Sequence, residues 1–181
     1  MIPIEEIRGA YLLTHDEYLD SRGRLQELSS QNALISLDSW KNFEINQTNF
    51  VKSQFGSIRG IHRTKRQYPQ RKIITCIDGE ILDVLVDLRP ESPSFLNHVS
   101  IHLSSKSPTS ILIPHRIGHS YQTHSQSSHV IYFIDRVYNP DEELGVNPID
   151  EQLGILWKPN WILSSKDRNA MKIKEIESAT L

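Results

Sequence analysis

The chain is 181 residues long, 38% hydrophobic and 23% charged, a size and composition that suit one domain over residues 1–181 and leave little room for a second. Twenty Lys and Arg against twenty-two Asp and Glu give a formal net charge of −2, which excludes the overall basic field that holds a nucleic acid polymer or an anionic membrane. A single cysteine, Cys76, excludes an internal disulfide and a zinc site built on thiolates, and fits a reducing compartment.

The N-terminal stretch MIPIEEIRGAY is acidic early and lacks a basic segment followed by an apolar core, so no signal peptide is expected. The apolar run Ile81–Val86, interrupted by Asp83, is far shorter than the roughly 20 residues of a membrane helix. The expectation is a cytoplasmic protein. A short helix is predicted within Gln31–Lys41. From Phe43 to Trp161 the chain alternates short apolar, often β-branched runs with clusters of Gly, Pro, Asn, Asp and Ser. Strands are predicted at Ser57–His62, Lys72–Ile77, Glu80–Leu88, His98–Leu103, Thr109–Ile113 and His129–Ile134. Turns are predicted at Asp78-Gly79, Arg89-Pro90, Ser105–Pro108 and Asn139–Asp141. That density of strands predicts an all-β sandwich or barrel. A terminal segment, Lys166–Ser178, carries Met171, Ile173 and Ile176 at loosely helical spacing.

Asp-Gly between two alternating runs predicts a two-residue hairpin turn with both residues at positive φ. Its register would pair Ile77 with Glu80 and Ile74 with Asp83, placing Lys72, Ile74, Cys76, Ile81, Asp83 and Leu85 on one face. Ile73, Ile77, Leu82, Val84, Val86 and Leu88 form the other, a packing face. Lys72 and Asp83 become diagonal neighbours, either in a partly buried polar pocket or as an ordinary cross-strand ion pair on a solvated face.

Eight histidines invite a metal reading. The pairs His98/His102 and His115/His119 are four residues apart, which on a strand means about 13 Å, too far for one ion. The expectation is no metal and no cofactor. Cys76 in an apolar strand reads as an inert buried thiol, and neither a Gly-x-Ser-x-Gly elbow nor a Gly-rich phosphate loop is present. What remains is a set of proton carriers and charges: His62, His119, Tyr132, Tyr138, Arg59, Lys72, Asp83 and Asp167. Singly each is a common structural residue. Together in one barrel they suit proton transfer at carbon, which needs a base, an acid on the other face and a cation for the enolate.

The order and spacing of these residues resemble the dTDP-4-dehydrorhamnose 3,5-epimerase family from about Ile7 to Met171. The blocks that carry the resemblance begin with Asp20-Ser-Arg-Gly23, Gln47-Thr-Asn49, Gly56-Ser-Ile-Arg-Gly-Ile-His62 and Gln70-Arg-Lys72. They continue with Gly79-Glu-Ile-Leu-Asp-Val-Leu-Val-Asp-Leu-Arg89, Ser92-Pro-Ser-Phe95, Ile113-Pro114, His119, Tyr132 with Tyr138, Glu143-Leu-Gly145 and Leu163-Ser-Ser-Lys-Asp167. The resemblance implies a cupin-type jelly roll without a metal, a homodimer, and a nucleotide-linked 4-keto-6-deoxyhexose as substrate, most often dTDP-linked. By position it implies His62 as general base, Asp167 as its carboxylate partner, Lys72 and Arg59 as support for the C4 enolate, and Tyr132 as the acid on the opposite face. His119, Asp83 and Tyr138 match pocket positions. Arg22, Gln47 and Asn49 match nucleotide-gripping positions, with the Arg22 segment reaching the neighbouring subunit's site.

Three departures bear on substrate. Arg116-Ile-Gly-His-Ser-Tyr121 stands where the family usually reads Gly-Phe-Ala-His-Gly-Phe, and Arg63-Thr64 follows the histidine where Tyr-Gln is common. Only Gly145 and Asp150 persist of a Gly-Ile-x-Trp-Asn-Asp-Pro stretch. Such drift suits epimerases of C3 alone, C5 alone, or of a GDP- or CDP-linked sugar. A non-catalytic nucleotide-sugar-binding cupin is the alternative from another class.

Overall fold

The computed structural model describes residues 1–107 and 109–178. In chain order the strands are β1 (Ile2–Pro3), β2 (Tyr11–Thr14), β3 (Glu17–Asp20), β4 (Gly23–Gln26), β5 (Gln47–Gln54), β6 (Ile58–Thr64) and β7 (Lys72–Asp78). They continue as β8 (Glu80–Asp87), β9 (His98–Ser104), β10 (Thr109–Ile113), β11 (Ile117–Thr123), β12 (Ser127–Ile134) and β13 (Glu143–Gly145). Short helices are α1 (Gln31–Leu34), α2 (Ser165–Arg168) and α3 (Ile173–Ser178). A six-stranded sheet in the order β1-β2-β10-β7-β12-β5 faces a five-stranded one in the order β13-β6-β11-β8-β9, and β3 and β4 form a separate hairpin.

Three apolar clusters explain why both sheets form. Ile74, Cys76, Ile111 and Val130 of the first sheet meet Ile81, Leu85, Leu103 and Tyr121 of the second in the core between them. The outer side of the five-stranded sheet is covered by the C-terminal segment, where Ile173 and Ile176 pack with Ile61, Val84, Val86 and Leu88. The outer side of the six-stranded sheet is covered by Leu34, Trp40 and Phe43 against Ile73 and Leu112. The strands β7 and β8 are apolar on both faces because each has a layer on both sides.

The predicted strands all form, with ends moved by up to two residues. The Asp78-Gly79 hairpin does not. Strand β7 pairs with β10 and β12, whereas β8 pairs with β11 and β9, so the turn carries the chain from one sheet to the other. Only Gly79 has positive φ, at 76°, and a Cβ there would lie 2.2 Å from the Ser127 carbonyl oxygen. The turn signal specifies a reversal but not its partner; long-range burial decides the pairing. The alternation survives this change, since Ile74, Cys76, Ile81 and Leu85 face the inner core while Ile73, Val84, Val86 and Leu88 face the outer layers. Lys72 and Asp83 therefore belong to facing sheets and are not diagonal neighbours.

The helix predicted over Gln31–Lys41 is one turn, Gln31–Leu34, continued by reverse turns at Leu37 and Trp40. The terminal segment divides into α2 and α3, and Met171 between them bridges Val146. The turns at Arg89-Pro90 and Asn139–Asp141 are present; the Ser105–Pro108 turn ends at Pro108, outside the described residues.

The Asp87-Leu-Arg89 and Ser92-Pro-Ser blocks make one clamp. Buried Asp87 accepts hydrogen bonds from Arg89 Nη2 at 2.7 Å and from Ser92 Oγ and Ser94 Oγ, each at 2.6 Å. Burial opposes ionisation there, but these donors win and hold the carboxyl at about 2. Because the folded value is depressed, the stabilisation is complete above about pH 4 and is lost as pH falls toward 2, a contribution of about 2 kcal/mol. Urea unfolding between pH 5 and 2 should show this loss, and Asp87→Asn should flatten it.

Candidate active site

Strand β6 and the segment leading into α2 meet β5, β7 and β12 around a cavity of about 530 Å³. His62, Arg59, Lys72, Tyr132, Asp167, Tyr138 and Asn49 line it, with Glu143, Ser164 and Lys166. Arg59 and His62 are three residues apart and would point to opposite faces of a regular strand. Both reach the cavity because β6 is irregular: His62 pairs with His119, but Arg59 pairs with Tyr121, so β6 spends an extra residue at Gly60.

His62 Nε2–H donates to Asp167 Oδ1 at 2.6 Å. In the neutral ring this leaves the Nδ1 lone pair to receive a proton. Asp167 is buried near the start of α2, where its backbone N–H donates to the Ser164 side chain at 3.0 Å. Burial raises its carboxyl, but His62, Ser164 and the Gly60 backbone outweigh this and leave it below the ordinary value. Glu143 Oε1 lies 3.5 Å from His62 Nε2 and 2.8 Å from Lys166 Nζ, so a second carboxylate backs the imidazole.

The facing sheet supplies Lys72 from β7 and Tyr132 from β12. Burial draws the Lys72 ammonium down to about 8, with Glu143 and Asp83 acting against that shift. Tyr132 is raised well above the usual phenol by burial first, then by Tyr121 and Asp83, with Arg59 opposing. It enters the site as a neutral O–H.

His119 and Asp83 lie beneath the cavity and do not line it. They are almost fully buried and joined by a 2.7 Å hydrogen bond from His119 Nε2–H to Asp83 Oδ2. The His119 ring meets Tyr132 edge-on, at 5.8 Å between centroids, so the pair supports the phenol from below. Gln47 braces the rim: its amide donates to Asn49 Oδ1 at 2.8 Å and accepts the Tyr138 backbone N–H at 2.7 Å. Arg22 is not brought to this cavity within one chain. It sits exposed at the tip of the β3–β4 hairpin and donates to Asp20. Among the described residues no group of three or more His, Cys, Asp or Glu is arranged to hold a metal ion, and no helix is long and apolar enough to cross a membrane.

Residue-by-residue reading missed Glu143 and Lys166, which lie inside the motif blocks but carry no isolated signal. It also passed over Ser53, whose Oγ accepts a 2.9 Å hydrogen bond from Arg59 Nε. Ser53 lies on β5, whose Gln47-Thr-Asn-Phe-Val-Lys-Ser-Gln54 has no apolar run, yet alternates partly buried and exposed positions in the structure.

A carboxylate-backed imidazole on one sheet, with an ammonium and a neutral phenol on the facing sheet, is an arrangement that can carry out proton transfer at carbon, the chemistry of an epimerase. The family profile for dTDP-4-dehydrorhamnose 3,5-epimerase matches residues 5–175. A dTDP-4-dehydrorhamnose 3,5-epimerase of Streptomyces griseus is 33% identical over 173 residues, 94% of this chain and 86% of the relative. Among solved structures, the 4-keto-6-deoxy sugar epimerase NovW from the novobiocin cluster of Streptomyces spheroides superposes with a TM-score of 0.93 at 28% identity, covering 98% of this chain and 88% of that one. The 3'-monoepimerase ChmJ of Streptomyces bikiniensis, in complex with dTDP-quinovose, gives 0.93 at 29% identity, with 98% and 90% covered. The chain belongs to the dTDP-4-dehydrorhamnose 3,5-epimerase family, and its two-sheet architecture is the cupin-type jelly roll.

Proposed function

We propose that the protein is a carbohydrate isomerase that inverts carbon beside the C4 ketone of a dTDP-linked 4-keto-6-deoxyhexose, through an enolate and without a cofactor. The observation that carries this reading is the His62–Asp167 pair in the same cavity as Lys72 and Tyr132, which come from the facing sheet. His62 takes the proton from the carbon acid, and Asp167 holds the imidazole and offsets the charge it gains. Lys72, with Arg59, stabilises the negative charge that develops on the C4 oxygen. Tyr132 returns a proton from the other face, which inverts the centre. Asn49 and Tyr138, braced by Gln47, grip the nucleotide side.

The working unit in this reading is a homodimer. The β3–β4 hairpin exposes Tyr18, Leu19 and Leu25 to 62%, 74% and 65%, an apolar surface that a second copy would cover while Arg22 enters its nucleotide site. Sedimentation should give twice the chain mass, and Leu19→Asp should shift it toward the monomer.

Proton NMR of dTDP-4-keto-6-deoxyglucose in D2O tests the chemistry, with loss of the C3 and C5 signals followed separately. Exchange at both carbons identifies a 3,5-epimerase; exchange at C3 alone aligns the protein with the monoepimerase it superposes on. Absence of exchange with dTDP-, GDP- and CDP-linked 4-keto sugars, despite tight binding, would overturn the enzymatic reading.

Lys72 sets a pH limit. Its charge is lost as pH rises through about 8, so kcat/KM should fall on the alkaline side with an apparent pKa near that value. Lys72→Arg, which stays charged, should lose rate but move that limb upward; a limb unmoved by the substitution assigns it to another group.

A further inference from the structure

Strand β5 has one buried residue, Ser53, on the face it shares with Asn49 and Val51, both of which line the cavity. An apolar side chain would serve packing at that position, whereas serine brings a hydroxyl that must be bonded. Two side chains of the facing sheet meet it. Arg59 of β6 and Tyr121 of β11 are register partners on adjacent strands, so they lie side by side on one face. Arg59 Nε donates to Ser53 Oγ at 2.9 Å, and the hydroxyl of fully buried Tyr121 lies 3.0 Å from the same oxygen. Arg59 Nη2 is 3.5 Å from the Lys52 carbonyl oxygen. The guanidinium is thus fixed at its Nε corner to the edge strand of the opposite sheet. Arg59 lines the cavity, and among the described residues its Nη1 makes no hydrogen bond, so the anchored group keeps donors in hand.

We infer that Ser53 is the positioning residue for Arg59: its hydroxyl anchors Nε, so that the rest of the guanidinium is held ready for the negative charge that develops on the substrate. The inference rests on the reading of Arg59 as a support for the C4 enolate. Nε can only donate, so Ser53 Oγ accepts from it; Ser53 keeps its own hydrogen and a second lone pair, and Tyr121 takes up one or the other and fixes the hydroxyl in turn. Arg59 is a solvent-exposed position of β6. Without an anchor, a long arginine side chain there samples many rotamers, and ordering it around the substrate costs free energy. With the anchor that ordering is complete beforehand, which is what electrostatic support of a developing oxyanion requires. The bond also joins the two halves of the site. His62 and Arg59 share β6, whereas Tyr132 stands on β12, paired with Asn49 of β5, so the Arg59–Ser53 bond ties the strand of the base to the strand beside the acid.

A double-mutant cycle tests this, because a residue that acts only through Arg59 loses its effect once Arg59 is gone. Ser53→Ala should lower kcat for proton exchange by about 10- to 100-fold, the scale of one hydrogen bond to a charged group, with dTDP affinity near wild type. In an Arg59→Ala background the same substitution should cost less than about 2-fold. Tyr121→Phe, which keeps the ring and removes the hydroxyl behind Ser53, should follow the same pattern with a smaller factor. Equal losses from Ser53→Ala in the two backgrounds assign it a packing role and overturn the inference, as does full activity of Ser53→Ala with Arg59 present. If Ser53→Ala does not fold, Tyr121→Phe is taken through the cycle and judged by the same criterion. Arg59→Ala alone checks the reading beneath. If it keeps kcat and weakens dTDP binding, Arg59 grips the nucleotide and the enolate role fails. The cycle is then read on dTDP affinity by titration calorimetry, as it is if the wild-type protein exchanges no proton: a loss from Ser53→Ala that needs Arg59 supports the positioning role, and an equal loss in both backgrounds, or none, overturns it.

Discussion

His62→Ala is expected to abolish hydrogen–deuterium exchange at the sugar carbons, with kcat falling by about 100- to 10,000-fold, the range for loss of a positioned general base. Affinity for dTDP should change little, because the groups proposed to grip the nucleotide, Asn49 and Tyr138, are other members of the cavity lining. Asp167→Asn separates the two parts of the pair. An amide can accept the His62 Nε2–H bond and keep the ring in place, but it cannot offset the charge of an imidazolium. That variant should therefore retain more activity than His62→Ala at every pH while still losing much of kcat. Exchange at the wild-type rate in His62→Ala would remove His62 as the base and direct attention to Glu143, whose carboxylate is 3.5 Å from the same ring. Titration calorimetry with dTDP on each variant shows whether the cavity itself is intact.

The strand positions were legible because burial on both faces writes dense apolar runs, as in Ile73-Ile74 of β7 and Val84-Leu85-Val86 of β8. Strand β11 was not legible for the opposite reason. All seven of its residues are buried, yet Gly118, His119, Ser120, Gln122 and Thr123 are small or polar. Burial is tolerated there because side-chain hydrogen bonds replace apolar packing: His119 to Asp83, Gln122 to the Lys158 backbone, and Thr123 with Ser128. Pairing was misread at Asp78-Gly79 because a turn signal is local, whereas the choice between hairpin and sheet-to-sheet crossing depends on core residues distant in sequence, such as Ile111 and Val130.

The candidate site divides in the same way. Residue types with obvious chemistry, His62, Lys72, Tyr132 and Asp167, are legible as a set, though each alone is a common structural residue, and the family blocks supply their order. Their support does not stand out. Glu143 and Lys166 join His62 only through geometry that brings residues 62, 143 and 166 together, and Ser53 meets Arg59 from β5, the strand beside β12 at the edge of its sheet. Arg22 is legible as a motif residue, but one chain leaves it in solvent on its hairpin. In the proposed homodimer its partners lie on the second subunit and leave no contact signature within the first.

The largest effect on stability should come from Gly60→Ala. Gly60 has φ of 108°, and a Cβ there would lie 2.3 Å from the His119 carbonyl oxygen and 3.0 Å from Ser120 Cα, both backbone atoms of the neighbouring strand. Neither can withdraw without breaking the β6–β11 pairing, since β11 is held on its other side by β8. Backbone strain of about 1–3 kcal/mol adds to the cost of that displacement, and a total of about 3–5 kcal/mol would be a large part of the stability of an ordinary domain. The catalytic consequence is separate from the thermodynamic one. The extra residue at Gly60 is what lets both Arg59 and His62 face the cavity, and the Gly60 backbone also helps hold the Asp167 carboxylate ionised. Any Gly60→Ala protein that remains folded should therefore have lost exchange activity out of proportion to its stability. Gly145→Ala is the control: a Cβ there meets only the Ala170 methyl at 3.4 Å, so the urea midpoint should move little. If Gly60→Ala unfolds at the wild-type urea concentration and still exchanges the substrate protons, the irregularity in β6 is not what positions His62.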